Sequence, residues 1–267
     1  MERLYQWFSG RTFAATCLVA GTCIGGGMLA LPLSSGTSGF FPSLVIMLIC
    51  WFMMTFTALL LLEVSLWMEP DVHVITMSSR ILGWPGRAVS WVLYLFISYA
   101  SLVAYTAEGG SQLAHLFERF DLHLSLQWSS LLYIVGFALI IDLGSALLGR
   151  INTIFFVAMM LAYMMLIGSG VSEVHLDNLT HTHWAVSWMA VPVILTTFSF
   201  QTMVPSLPAY MNRNIGGLRT AIIGGTTLTL LVYVLWQWLI LGIVPLEGDH
   251  GLHAAWRDGI QPTRFLE

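Results

Sequence analysis

Gly21-Thr22-Cys23-Ile24-Gly25-Gly26-Gly27-Met28-Leu29-Ala30-Leu31-Pro32 is the stretch whose reading decides the fold. It lies inside an apolar run from about Phe13 to Leu33, long enough to cross a bilayer as a helix. Its centre holds three consecutive glycines, each costing about 1 kcal/mol of helix propensity relative to alanine. Pro32 removes a further backbone donor. Free N–H and C=O groups at membrane depth are tolerated only where they face protein or a wet cavity. The stretch therefore reads as a discontinuous helix whose opened backbone holds a small polar solute. A kinked helix, or glycines that admit a close neighbour, are the structural alternatives.

The rest of the chain suits a bilayer. Apolar residues make up 57% and charged residues 9%, and the mean hydropathy is +0.79; this is membrane-protein composition. All ten basic residues are arginine. The net charge of −4 is small and dispersed, so nucleic acid is not an expected partner. Cys17, Cys23 and Cys50 fall in apolar runs without disulfide or metal spacing, and no cofactor or metal is expected. His181-Thr182-His183 reads as a solvated loop pair. No small-x-small cleavage site follows the first apolar run, which is kept as a membrane span.

About seven apolar segments can be marked, at 12–34, 41–67, 88–112, 128–148, 151–171, 187–210 and 217–245. With the N-terminus cytoplasmic, Arg3, Arg11, Arg80, Arg87, Arg150, Arg213 and Arg219 all fall inside. Residues 71–87 are too polar to cross and read as a short interfacial helix ending near Gly83-Trp84-Pro85-Gly86. Residues 246–267 read as a polar tail, the start of an outer loop cut short.

The sixth segment repeats the anomaly of the first. Thr196 to Pro208 sets hydroxyls, the Gln201 carboxamide, Pro205 and Pro208 in mid-membrane. Ile24–Pro32 and Phe200–Pro208 both end in Leu-Pro, and superposing them lays the second segment over the seventh. Interrupted helices at corresponding positions of two halves point to a transporter site near the bilayer midplane.

A wall for that site comes from the third segment. Tyr94, Ser98, Ser101, Tyr105, Glu108 and Gln112 recur at helical spacing on one face. An intramembrane carboxylate is a candidate for proton coupling, which singles out Glu108; the alternative is a side chain that reaches the interface. Glu63 is expected to pair with Arg11 or Arg80, and Asp142 with Arg150. Gly36-Thr37-Ser38-Gly39 matches an intramembrane serine-protease tetrapeptide, but no histidine lies at membrane depth to activate the serine. The chain is not expected to be an enzyme. Without a lysine it is no retinal protein either.

The glycine-rich motif, followed by Leu61-Leu62-Glu63-Val64-Ser65-Leu66-Trp67, resembles the hydroxy/aromatic amino acid permeases of bacteria, most nearly the tyrosine and tryptophan permeases. The resemblance implies an all-α integral membrane protein of the amino acid–polyamine–cation superfamily, with helices 1 and 6 discontinuous and inverted five-helix repeats. Residues 1–171 would be the first repeat and 187–245 the start of the second, a partial copy of the fold. It implies proton symport of an aromatic amino acid across the bacterial inner membrane, so the expected partners are that amino acid, protons and the lipid bilayer. The backbone of Thr22, Cys23, Ile24, Gly25, Gly26 and Gly27 would bind carboxylate and amine, and Ser199, Phe200, Gln201 and Thr202 would line the opposite wall. Phe198, Phe200, Tyr105 and Gly25 are expected to shape the side-chain pocket, with Ser101 on the polar stripe beside them. Such permeases have more spans than can be marked here, which keeps two other readings open: a truncated, non-transporting membrane protein and a serine/threonine permease fragment.

Overall fold

The computed structural model describes residues 10–69, 72–142 and 145–245, and of residues 26, 27, 29 and 145–153 the backbone alone. Among them there is no strand. The helices are α1 (Gly10–Cys23), α2 (Gly26–Ser35), α3 (Phe40–Trp67), α4 (Val74–Glu118), α5 (Leu126–Asp142), α6 (Ser145–Gly170), α7 (Trp184–Ser187), α8 (Val191–Thr197), α9 (Leu207–Tyr210) and α10 (Ile215–Ile243). By packing they form two compact units, residues 73–155 and the remainder.

Among the described residues, five segments are long and apolar enough to cross a membrane: Phe40–Trp67, Val74–Glu118, Ile154–Glu173, Trp184–Tyr210 and Ile215–Ile243. The expected count of about seven is not confirmed by these. The first apolar run is divided at Gly25 into two shorter helices, and Leu126–Asp142 is apolar but only 17 residues long. The tail 246–267 and the proposed Asp142–Arg150 pair fall outside the described residues.

In the larger unit α10 is the central mast. One of its faces carries Gly217, Ala221 and Gly225, all buried against α1. Small residues at this spacing let two helix backbones approach in lipid, where no hydrophobic drive exists between helices. A second stripe on the same helix is polar. Thr226 accepts from the Thr55 hydroxyl of α3 at 3.0 Å, and the Gln237 amide donates to Ser35 of α2 at 2.5 Å. The opposite side of α3 leaves Ile49, Phe52, Met53, Phe56 and Leu60 exposed, while Met47, Cys50, Ala58 and Leu62 are buried. That inverted amphipathicity fits a helix whose outer face meets acyl chains.

The ends of the helices are tied down by polar contacts. Arg213, held at φ 56° in the tight link between α9 and α10, donates to the carbonyls of Leu66 and Met68 at the end of α3. A cation there also complements the negative end of the helix dipole. Arg213→Ala is expected to lower stability by about 1–2 kcal/mol, the loss for charge-assisted bonds to a helix end, read as a drop in thermal midpoint in detergent. Glu63 pairs with Arg219 of α10 at 3.2 Å, not with Arg11 or Arg80 as expected. The reason is register: Glu63 lies one turn before the end of α3, beside the first turns of α10. At the other end, residues 171–183 form 3₁₀ turns fastened to Gly242 by His175 N–H (2.9 Å) and Asn178 Nδ2 (3.0 Å). His183 N–H fastens the same loop to Ser38 at 2.8 Å.

The smaller unit contains α4 and α5. Gly83, with φ 70° and ψ −157°, breaks α4 sharply, a conformation open to glycine and little else. Ser90 donates to Ser78 at 2.7 Å, and the His73 and Tyr94 rings lie 4.5 Å apart. These pairs are symmetric about the break, so the polar segment expected to end at Gly83 folds back along the apolar one. Gly110 faces Ser130 of α5 so closely that a Cβ would come within 2.8 Å of the Ser130 Cα.

Candidate functional site

The first helix break is local and clean. The Ile24 N–H still bonds the Ala20 carbonyl at 2.8 Å, and the Met28 N–H bonds Gly25 at 2.9 Å. Between them Gly25 is extended, at φ −169°, and no side chain caps α2. Helix ends leave their last carbonyls and first N–H groups without intrahelical partners, here at the end of α1 and at Gly26 and Gly27. A Cβ on Gly25 would meet no atom within 4 Å, so the space beside the break is open.

The second break follows Thr197. The N–H groups of Phe198 and Ser199 turn back to Leu195 (3.3 Å) and Thr196 (3.2 Å). The Phe200 N–H is taken by the Gln201 side-chain oxygen at 3.1 Å, while the Gln201 amide reaches the Met54 carbonyl of α3 at 3.3 Å. A 3₁₀ run, Gln201–Ser206, then carries Pro205, and Pro208 opens α9. Runs of this length are uncommon because 3₁₀ hydrogen-bond geometry is poor; here the prolines have already removed donors that an α-helix would need.

The two breaks adjoin. The Thr22 hydroxyl bonds the Leu18 carbonyl at 2.7 Å and lies 3.4 Å from the Met203 sulfur. The Tyr233 hydroxyl, from α10, lies 2.6 Å from the Cys23 carbonyl oxygen and 3.0 Å from that of Thr197. Its ring meets the Phe198 ring edge-on at 5.3 Å. Thus α1 and α8 bring their negative, C-terminal ends to one hydroxyl, and α2 starts its positive end two residues away. No formally charged side chain occurs in Thr22–Gly27 or Phe198–Thr202. Such an arrangement can hold an ammonium on carbonyls and a carboxylate on N–H groups.

The breaks thus bring Thr22 to Met203 and Cys23 to Thr197 through Tyr233, and they place Ile24 with Phe198 and Cys23 with Phe200 in shared apolar clusters. Gly25, Gly26, Gly27, Ser199, Gln201 and Thr202, also expected at the site, adjoin these residues in the chain. Thr22, Gly25, Ser199 and Thr202 are exposed; Cys23, Ile24, Phe198 and Phe200 are buried in the core. The Ser199 hydroxyl donates back to Thr196 at 2.6 Å. Ser101, Tyr105 and Glu108 share one face of α4 in the smaller unit, where Glu108 accepts from Gln112 at 2.9 Å. Tyr233 was not found from sequence. The signal was present: Thr226, Thr229, Tyr233 and Gln237 form a polar stripe at helical spacing, the criterion that singles out Glu108 on α4.

Apolar spans and two interrupted helices that adjoin at their breaks define an integral membrane protein, and paired broken helices of this kind are a feature of secondary transporters. The chain belongs to the tryptophan/tyrosine permease family, whose profile matches residues 9–252; this is a family of transporters and not of enzymes. It is 36% identical to the tyrosine-specific transport system 1 of Haemophilus influenzae over 85% of this chain and 56% of that protein. It is 26% identical to the low affinity tryptophan permease of Escherichia coli K12, over 88% of this chain and 59% of that one. Glutamine transporter 2 of Aliivibrio fischeri is 23% identical over 87% of this chain and 61% of its own length. The chain thus spans little more than half the length of these relatives. No solved structure matches it.

Proposed function

We propose that the protein imports an aromatic amino acid, tyrosine or tryptophan, by proton symport, and that this chain carries the part of the site that grips the zwitterion. The observation that carries the reading is the meeting of two helix breaks at one point, with carbonyl ends and an N–H end side by side. In the mechanism the first N–H groups of α2 bind the carboxylate. The carbonyl ends of α1 and α8 accept from the ammonium, and a rocking of the broken helices alternates access. The matched breaks support an inverted repeat whose first copy is 1–171 and whose second begins at 187. The arginine distribution supports a cytoplasmic N-terminus in a bacterial inner membrane.

Similarity to proteins named for tyrosine and tryptophan transport supports an aromatic substrate. Similarity to a protein named for glutamine supports, more distantly, a polar one. Uptake of radiolabelled tyrosine by the complete protein in proteoliposomes, competed with a panel of amino acids, separates them. Competition by tryptophan and phenylalanine is expected; competition by glutamine or serine alone would overturn the aromatic assignment. Glu108 is the proposed proton-coupling group. Glu108→Gln is expected to remove the response of uptake to an imposed pH gradient while leaving counterflow exchange, and unchanged coupling would remove Glu108 from the mechanism.

A further inference from the structure

A phenol has one proton to donate, and the Tyr233 hydroxyl stands between two carbonyls, at 2.6 Å from Cys23 and 3.0 Å from Thr197. Both belong to the last residue of a helix, where carbonyl oxygens lie at the negative end of the dipole and beyond the intrahelical ladder. Two such ends repel one another when brought together without a donor between them. Tyr233 is fully buried, and its ring is fixed against Phe198. At any instant its proton serves one carbonyl and leaves the lone pairs of the other short of that donor.

We propose that Tyr233 is the positioning residue of the site: its hydroxyl holds the carbonyl ends of both broken helices together, satisfying one and presenting the other to the substrate's ammonium. This rests on the reading of the breaks as an amino-acid site. An ammonium has three N–H groups, so on arrival it completes the carbonyl that the phenol leaves unserved. The phenol keeps the broken ends apposed before substrate comes, and the ammonium then binds a geometry already formed. The role is distinct from general packing because a second buried tyrosine, Tyr163 of α6, provides a control that bonds the same helix α10. Tyr163 donates to the Val232 carbonyl of α10 at 2.7 Å, but its acceptor lies within a continuous helix and not at a break.

The test uses the complete protein with Cys17→Ser and Cys50→Ser, which leaves Cys23, buried at the first break, as the reporter among the three cysteines of this chain. Two readouts are taken: the rate of Cys23 modification by a small polar methanethiosulfonate, and the KM and kcat of radiolabelled tyrosine uptake. Tyr233→Phe is expected to speed Cys23 modification and to raise KM, each by about tenfold, the scale of one lost buried hydrogen bond, with a smaller change in kcat. Tyr163→Phe is expected to change neither. Wild-type modification rate and KM in Tyr233→Phe would overturn the proposal, as would equal effects from Tyr163→Phe, which would mark general loosening. Tyrosine is expected to slow Cys23 modification in the parent. Failure to do so, with Tyr233→Phe still accelerating it, would overturn the amino-acid reading and the ammonium half of this proposal, leaving the joint between the helix ends established.

Discussion

Gly25→Val is expected to cut the proposed amino-acid uptake of the complete protein sharply while leaving its insertion and folding intact. The glycine is extended, a conformation any residue adopts, and a Cβ there meets no atom within 4 Å. The fold therefore leaves room for a β-carbon at this position. What valine fills is the open space beside the helix break, where the carboxylate and ammonium are proposed to lie. Displacing a bound solute by an ångström or more is expected to lower uptake by about a hundredfold. Uptake in proteoliposomes, with size-exclusion profile and thermal midpoint alongside, checks both halves. Wild-type uptake by a well-folded Gly25→Val protein would remove the break from the site.

Gly225→Leu is expected to show the opposite signature, a protein that does not accumulate in the membrane. A Cβ at this position would stand 2.7 Å from the Cβ of Val19 and 2.9 Å from the Thr16 carbonyl oxygen. One neighbour is a stiff β-branched side chain and the other is backbone, so neither yields without moving α1 away from α10. Even Gly225→Ala is expected to cost about 1–3 kcal/mol, the range for overpacking a close interface. Gly217 on the same face is the comparison. Its Cβ would approach the Met211 methyl, the far end of a flexible side chain, at 2.8 Å, and the Asn214 amide and Thr12 hydroxyl only at 3.1 Å, with no backbone atom among the three nearest. Gly217→Ala is therefore expected to cost less. Thermal unfolding of the two alanine variants in detergent ranks them, and equal losses would contradict the close backbone approach of α1 and α10.

These two glycines mark how far the sequence can be read. Gly25 is legible because a glycine run inside a membrane-length apolar segment violates helix propensity, and the violation is local. Gly225 lies in Gly224-Gly225 of another apolar segment, and nothing in its neighbours distinguishes it from an ordinary membrane-helix glycine. Its meaning is the distance to Val19, a residue far away in the chain. The fold-back at Gly83 falls between these cases. The turn chemistry of Gly83-Trp84-Pro85-Gly86 announces an end, but only the backbone dihedrals and the Ser78–Ser90 bond reveal that the polar segment returns along the helix that follows. The ion pair of Glu63 went to Arg219 for the same reason: pairing is decided by which helix ends lie side by side.

By itself the sequence determined that this is an all-helical membrane protein, where its helices are interrupted, and which family motif the first interruption carries. Those follow from hydropathy, propensity and proline or glycine chemistry, each acting over a few residues. Only the tertiary structure decided that the two interruptions touch, and that Tyr233 of α10 is the group between them. A carbonyl freed at Cys23 or Thr197 is the same in any sequence register. Its value as half of a binding site depends on a second carbonyl arriving within hydrogen-bond distance of the same proton, and that is a property of packing between segments distant in the chain.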